Sequence, residues 1–178
     1  MTLTHEVSQA LFEGLFARAM PVSAELARAL KQHGYDVEHP EAGASGAVFS
    51  ACVEAARLSV HATKSADEGQ RELGRAFARG FRETILGRVV TTALPILGPG
   101  RFLPRVPGRL ASVRRDATVV VKVTGTTSAT MHFVDPQPLS SFFAGVIEEA
   151  LRFSKAREPR VVVTLEPGGY RLDATWEP

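Results

Sequence analysis

Apolar residues recur every fourth position through the first half of the chain and give way to β-branched runs in the last third. In the stretch Gln70 to Gly87, QRELGRAFARGFRETILG, Leu73, Phe77, Phe81 and Ile85 make one apolar stripe on a helix. Ala76, Gly80, Thr84 and Gly87 form a ridge of small residues beside it, where another backbone can approach closely. Arg71, Arg75, Arg79 and Arg82 fall on the opposite, wet side, with Arg79 and Glu83 spaced for an i,i+4 pair. Ser65 and Glu68 have the spacing of a capping box, which predicts a helix start near residue 66. A helix with so wide an apolar face is expected to be covered on more than one side.

The same reading applied along the chain predicts a short helix over Val7 to Ala19, with Leu11 and Leu15, and Phe12 and Phe16, at four-residue spacing. Gly14 inside it points to close packing. Pro21 interrupts, Ser23 caps a second helix from Ala24 to His33, and Gly34 stops it. Asp36 to Ser45 is expected as a loop. A third helix, Gly46 to His61, carries Phe49, Cys52, Val53 and Ala56 on one face. After the central helix, VVTTALPILG is expected to be helical, kinked at Pro95 and ended by Gly98. GPGRFLPRVPGRLASVRR is rich in proline and glycine, so it is predicted to be a turn-rich connector with short helical turns at most.

Ala117 to Thr124 is β-branched and reads as a strand, GTTS as a turn, and Ala129 to Val134 as the returning strand, ended by Pro136 and Pro138. A last helix follows over Leu139 to Lys155. Arg160 to Leu165, the turn EPGG and Tyr170 to Trp176 make a second hairpin. Helices first and hairpins later imply an α+β fold. An N-terminal helical layer should pack on a four-stranded antiparallel sheet in strand–strand–helix–strand–strand order. One domain is expected over residues 1–178, with 1–98 mainly helical and 99–178 holding the connector and the ββαββ part.

Composition narrows the function classes. The chain has 178 residues, 44% hydrophobic and 22% charged, which suits a globular domain able to bury its own core. A formal net charge of only +2 argues against coating nucleic acid by bulk charge. A single cysteine excludes an internal disulfide framework and a multi-cysteine zinc site. The start lacks a basic n-region and a long apolar run, and no stretch matches a membrane span, so a cytoplasmic location is expected.

FEGLF at Phe12 to Phe16, GYDV at Gly34 to Val37 and LGRAFARGFRETILGR at Leu73 to Arg88 resemble a family of uncharacterised paralogues expanded in myxobacteria. LGPGRFLPRVP at Leu97 to Pro107 and FFAGVIEEALRFSKAREPRVVV at Phe142 to Val163 fit the same family. The resemblance implies a fold similar to haem nitric-oxide/oxygen-binding domains, vinyl-reductase-type small-molecule-binding domains and TRAPP transport subunits. It carries no agreed activity. The three similar folds suggest gas sensing by haem, an apolar ligand in a cavity, or assembly with other subunits, and fold alone does not choose among them.

Particular residues weigh on that choice. The haem-binding relatives use a proximal histidine and a Tyr-x-Ser-x-Arg motif. Tyr35 and Tyr170 are not followed by Ser-x-Arg, His61 sits at a helix end and His132 on a strand, so haem is disfavoured and no cofactor is expected. Some TRAPP-type proteins carry an acyl chain on a buried helical cysteine. Cys52 can be read that way, or as a small buried hydrophobe, the more usual fate of a free cysteine. Phe77, Phe81, Phe102 and Phe143, with Cys52, are the candidate lining of an apolar pocket, against the plainer reading of a filled core. Arg101, Arg105, Arg109, Arg114 and Arg115 form a candidate patch for an anion or an acidic partner, against the plainer reading of a solvated face; no acidic residue lies between Glu83 and Asp116.

Gly98–Pro99–Gly100 is not followed by the lysine of a phosphate loop, and Glu148 and Glu149, being adjacent, should point apart. No nucleophile–base arrangement is defensible from spacing, so neither an enzyme nor a metal site is expected. The leading expectation is a binding or regulatory module in myxobacterial signalling that acts through a partner protein, a second copy included. The alternative is a sensor holding an apolar or acyl ligand between helices and sheet.

Overall fold

The computed structural model describes residues 6–137 and 139–178. Pro138, expected to help end the first hairpin, lies outside them.

The C-terminal part forms as its pattern dictates. Strands β3 (Thr118–Gly125) and β4 (Ser128–Val134) make one antiparallel hairpin; β5 (Arg157–Glu166) and β6 (Gly169–Glu177) make the other. β4 and β6 pair antiparallel at the centre, so the sheet order is β3-β4-β6-β5. The α+β architecture with its four-stranded antiparallel sheet is therefore as read from the sequence. Alternation along the strands sends Val119, Ala129, Met131, Phe133, Val161, Leu172 and Trp176 to the covered face. The other face carries polar pairs such as Thr130 with Asp173, 2.9 Å apart.

Helix α9 (Ser140–Phe153) connects the hairpins and lies on β5 and β6. It is this helix, with α8 (Val106–Val113), that meets the sheet directly. Helix α4 (Ala66–Arg82) packs along the far side of α9. Beyond it lie α1 (Gln9–Phe12), which continues as a π-helical segment Glu13–Ala19, then α3 (Gly46–Val60) and α2 (Ala24–Gln32). The order of layers is thus sheet, α9, α4 and N-terminal helices, with the N-terminal helices packed mainly on α4. Two residues of the expected loop, Gly43–Ala44 (β2), pair with Val7–Ser8 (β1).

Local signals set the helix ends. The capping box is formed in full: Ser65 accepts from the Glu68 backbone N–H and the Glu68 carboxylate accepts from Ser65 N–H. Ser23 and Ser45 cap α2 and α3. Gly14 lies against Phe77 and Phe81 of α4, which explains a glycine inside a helix.

The structure departs from the sequence reading in three places. First, Ile85 is 88% exposed and does not continue the Leu73–Phe77–Phe81 stripe. Helix α4 ends at Arg82, and the buried Thr84 hydroxyl accepts from Gly87 N–H to start a separate helix α5 (Ile85–Thr91). Second, the arginine side of α4 is not simply wet. Arg71 and Arg75 both bind the buried carboxylate of Glu148 on α9, Arg75 at 2.6–2.8 Å, and Arg79 pairs with Glu149 at 3.3 Å rather than with Glu83. Third, the proline-rich connector is largely helical. After α6 (Leu94–Leu97), Gly98 adopts a positive φ of 70°, and α7 (Pro99–Phe102), a 3₁₀ turn Leu103–Arg105 and α8 follow. Pro99, Pro104 and Pro107 stand in the opening positions of these pieces, where a missing N–H costs nothing. Among the described residues no helix is long and apolar enough to cross a membrane.

Candidate functional site

A cavity of about 140 Å³ lies between α4 and α9 on one side and the α5–α8 segment on the other. Helix α4 contributes Phe77, Ala78 and Phe81, and α9 contributes Phe143, Val146, Ile147, Ala150 and Phe153. Leu86 and Val90 of α5, Leu94 of α6 and Phe102 of α7 close it opposite, with Val106, Leu110 and Val113 of α8. Phe133 of β4 and Leu11 of α1 complete the apolar wall. The polar members are Thr91, Arg109 and Ser112. Among the described residues no histidine, cysteine, methionine or tyrosine lines it.

The aromatic rings are set by packing against each other. Phe77 lies 5.5 Å from both Phe81 and Phe142, and Phe143 lies 5.5 Å from Phe142 and 5.8 Å from Phe133, centroid to centroid. The guanidinium of Arg82 sits 5.1 Å from the Phe153 ring centre.

Four of the five residues proposed for an apolar pocket from the sequence, Phe77, Phe81, Phe102 and Phe143, come together on this lining; Cys52 does not. Cys52 is fully buried in the N-terminal helical core, where burial pushes its thiol up to about 12. A thiol so far from ionisation is a poor nucleophile. Sequence reasoning missed Leu86, Val90 and Leu94. The i,i+4 spacing of Leu86 and Val90 was a usable signal.

The five-arginine patch divides. Arg101, Arg105, Arg109 and Arg115 are exposed, and Arg109 alone among them reaches the cavity. Arg114 is completely buried, which removes it from any surface patch. It donates to both carboxylate oxygens of Asp116 at 2.7 Å and to Asp135 at 2.9 Å. Burial works against its charge, and these two carboxylates outweigh that and hold its pKa above the ordinary value. The Tyr170 hydroxyl donates to the second oxygen of Asp135 at 3.2 Å. Burial first, then the charge of Asp135, drive the Tyr170 phenol well above its usual range. Glu148 and Glu149, expected to point apart, are both buried; Glu148 holds Arg71 and Arg75 of α4, and Glu149 holds Arg79 of α4 and Arg152 of its own helix.

Several solved structures share the fold. The Fe(II) unliganded H-NOX protein from K. algicida is 13% identical, covers 97% of each chain and superposes with a TM-score of 0.64. An oxygen-binding H-NOX domain related to soluble guanylate cyclases, in its oxygen complex, is 17% identical over 86% of this chain and 85% of its own, with a TM-score of 0.60. A structure described by the modulation of haem redox potential through porphyrin distortion is 16% identical over 95% of this chain and 96% of its own, with a TM-score of 0.62. At these identities the likeness shows the fold alone.

The haem proteins among these structures overturn the expectation of no cofactor with haem disfavoured. That expectation rested on a missing motif and on the placement of His61 and His132, and the backbone fold is retained at identities where such local features are not. No curated protein matches the chain in sequence. A family model matches residues 5–177, and the chain belongs to that family, the proteins of unknown function DUF2378.

Proposed function

We propose that this chain is a sensory module that binds a small apolar molecule in the cavity between α4, α9 and the α5–α8 segment. The observation that carries this reading is the cavity itself: about 140 Å³, with a wall of aromatic and aliphatic carbon. Water in such a space finds few hydrogen-bond partners, and apolar cavities of roughly this size stay dry and take up compact apolar guests. The shared fold adds support, since the similar structures include an H-NOX oxygen complex. The same comparisons favour a ligand over the partner-protein role expected from sequence. A non-enzymatic role in myxobacterial signalling belongs to this proposal as what the sequence resemblance implies.

Haem enters as the group named for one of the similar structures. Haem iron takes an axial nitrogen, sulfur or oxygen donor from the protein. The described lining of this cavity supplies no histidine, cysteine, methionine or tyrosine, so no chemistry is routed through haem here.

Native mass spectrometry and an absorption spectrum of freshly purified protein test the reading. An added mass of a small organic molecule without a Soret band supports it. A haem mass with a Soret band replaces the apolar guest with haem. A bare mass, together with no thermal shift from benzene or short alkanes, removes the sensor reading.

A further inference from the structure

The cavity wall is carbon except for Thr91 of α5 and Arg109 and Ser112 of α8. Arg109 is exposed, so it marks the side facing solvent. Its guanidinium makes no ion pair among the described residues. That sets it apart from the arginines that bind carboxylates elsewhere in the fold: Arg71 and Arg75 hold Glu148, Arg79 holds Glu149, and Arg114 holds Asp116 and Asp135. The sequence offers no local counter-ion either, because no acidic residue lies between Glu83 and Asp116.

A cation without a counter-ion beside an apolar cavity matches one ligand chemistry, a hydrocarbon tail with an anionic head. Guanidinium presents paired N–H donors at the spacing of a carboxylate. A cavity of about 150 Å³ admits benzene, so one of about 140 Å³ suits a tail of roughly six to eight carbons. We propose that the site takes a short fatty carboxylate, tail among Phe77, Phe102 and Phe143 and head on Arg109; the Ser112 and Thr91 hydroxyls already donate to the carbonyls of Arg109 and Gly87 and leave the head to the guanidinium. This rests on the ligand reading above and names its class.

Titration calorimetry of the full chain with octanoate, octanol and octylamine tests it. Octanoate is expected to bind about three- to tenfold tighter than octanol, the range for a partly exposed charge-assisted pair. Octylamine should be the weakest. In Arg109→Gln, the octanoate-to-octanol affinity ratio should fall to about one. Arg109 is exposed, so the variant should keep the wild-type melting temperature. Equal binding of octanoate and octanol by the wild type, or an octanoate advantage that survives Arg109→Gln, overturns the role of Arg109 and leaves the cavity reading standing. No binding of either compound overturns the proposal, and benzene distinguishes the cases. Benzene uptake keeps the cavity reading, and its absence ends both.

Discussion

Gly74 on α4 and Gly145 on α9 each lie against the other helix's backbone. A Cβ on Gly74 would collide with the carbonyl oxygen of Phe142, and one on Gly145 with the carbonyl oxygen of Arg71. This reciprocal contact lets the two helices run close enough for Arg71 and Arg75 to reach Glu148. Backbone cannot swing aside as a side chain does, so the added methyl must push the helices apart. Alanine gains up to about 1 kcal/mol of helix propensity over glycine, whereas overpacking costs about 1–3 kcal/mol, occasionally more. We expect Gly74→Ala and Gly145→Ala each to lose about 2 kcal/mol. At about 2–4 °C per kcal/mol for a chain of this size, a thermal melt resolves that loss. A melting temperature at or above wild type would show that the contact is loose.

Arg114 and Arg101 are both arginines of the same basic run, yet they should behave in opposite ways. Removing the Arg114 guanidinium leaves Asp116 and Asp135 buried without their cation, and breaking a buried pair costs about 3–5 kcal/mol. Arg101 is exposed, and substitutions at such sites stay within about 0.5 kcal/mol. Urea unfolding of Arg114→Met and Arg101→Gln gives the comparison. Equal stability of the two would contradict the buried network.

These two sites show what a sequence can and cannot carry. The capping box of Ser65 and Glu68 was legible because both partners lie within one turn. The strands are legible because β-branched runs and the turn residues between them are local signals, and Gly14 marks a place of close packing as its position in a helix predicts. The pairing of Arg71 with Glu148 spans 77 positions, so nothing near Arg71 distinguishes it from a solvated arginine. Ile85 followed the right period and still failed, since the Thr84 hydroxyl caps a new helix one residue earlier. The connector prolines were read as breakers, whereas they open helical pieces, and only the residues around them decide between the two.

At the site, the phenylalanines were legible as a set because aromatic side chains at helical spacing seek the interior. Cys52 is the small buried hydrophobe that a free cysteine usually is, and it stands apart from the cavity lining for a geometric reason. The apolar face of α3 meets several neighbours at once: Phe49 reaches Phe142 of α9, 6.0 Å between centroids, while Cys52 stays within the N-terminal helical core, and no local pattern tells which neighbour each residue meets. Haem was set aside on a motif and on the placement of His61 and His132, and fold outlasts such local features.

Cys52 should make stability fall at alkaline pH. Its thiol is raised from 9.0 to about 12 in the folded chain by burial. A group whose folded pKa is raised contributes stability that is fully present below the unfolded value. That stability is lost as pH rises towards the folded one. The window therefore runs from pH about 9 to about 12, and the full loss is roughly 4 kcal/mol. Tyr35 and Tyr170, both raised by burial, add a parallel decline above pH about 10. The difference between wild type and Cys52→Ala isolates the thiol. The variant should start lower at neutral pH, having lost a buried sulfur, and should decline less steeply between those limits. Parallel curves would mean that the thiol reaches water.

Filling the cavity separates its role in binding from its role in stability. Ala150 lines the cavity from α9, directly on the turn after Val146 and Ile147. Leucine at this position puts a branched side chain into space that holds no protein atoms, in a helix that favours leucine almost as much as alanine. Burying a leucine side chain stabilises by about 1.5–3 kcal/mol when no strain offsets it. Some of that is returned as rotamer entropy. Ala150→Leu should therefore melt at or slightly above the wild-type temperature. The same change removes much of the 140 Å³ that a guest would occupy, so binding of benzene or octanoate should fall at least tenfold, roughly the loss of 1.4 kcal/mol or more. A variant that is both as stable as wild type and unable to bind places the guest in this cavity. A strongly destabilised variant would mean that the walls are already in contact, and a stable variant that binds normally would put the guest elsewhere.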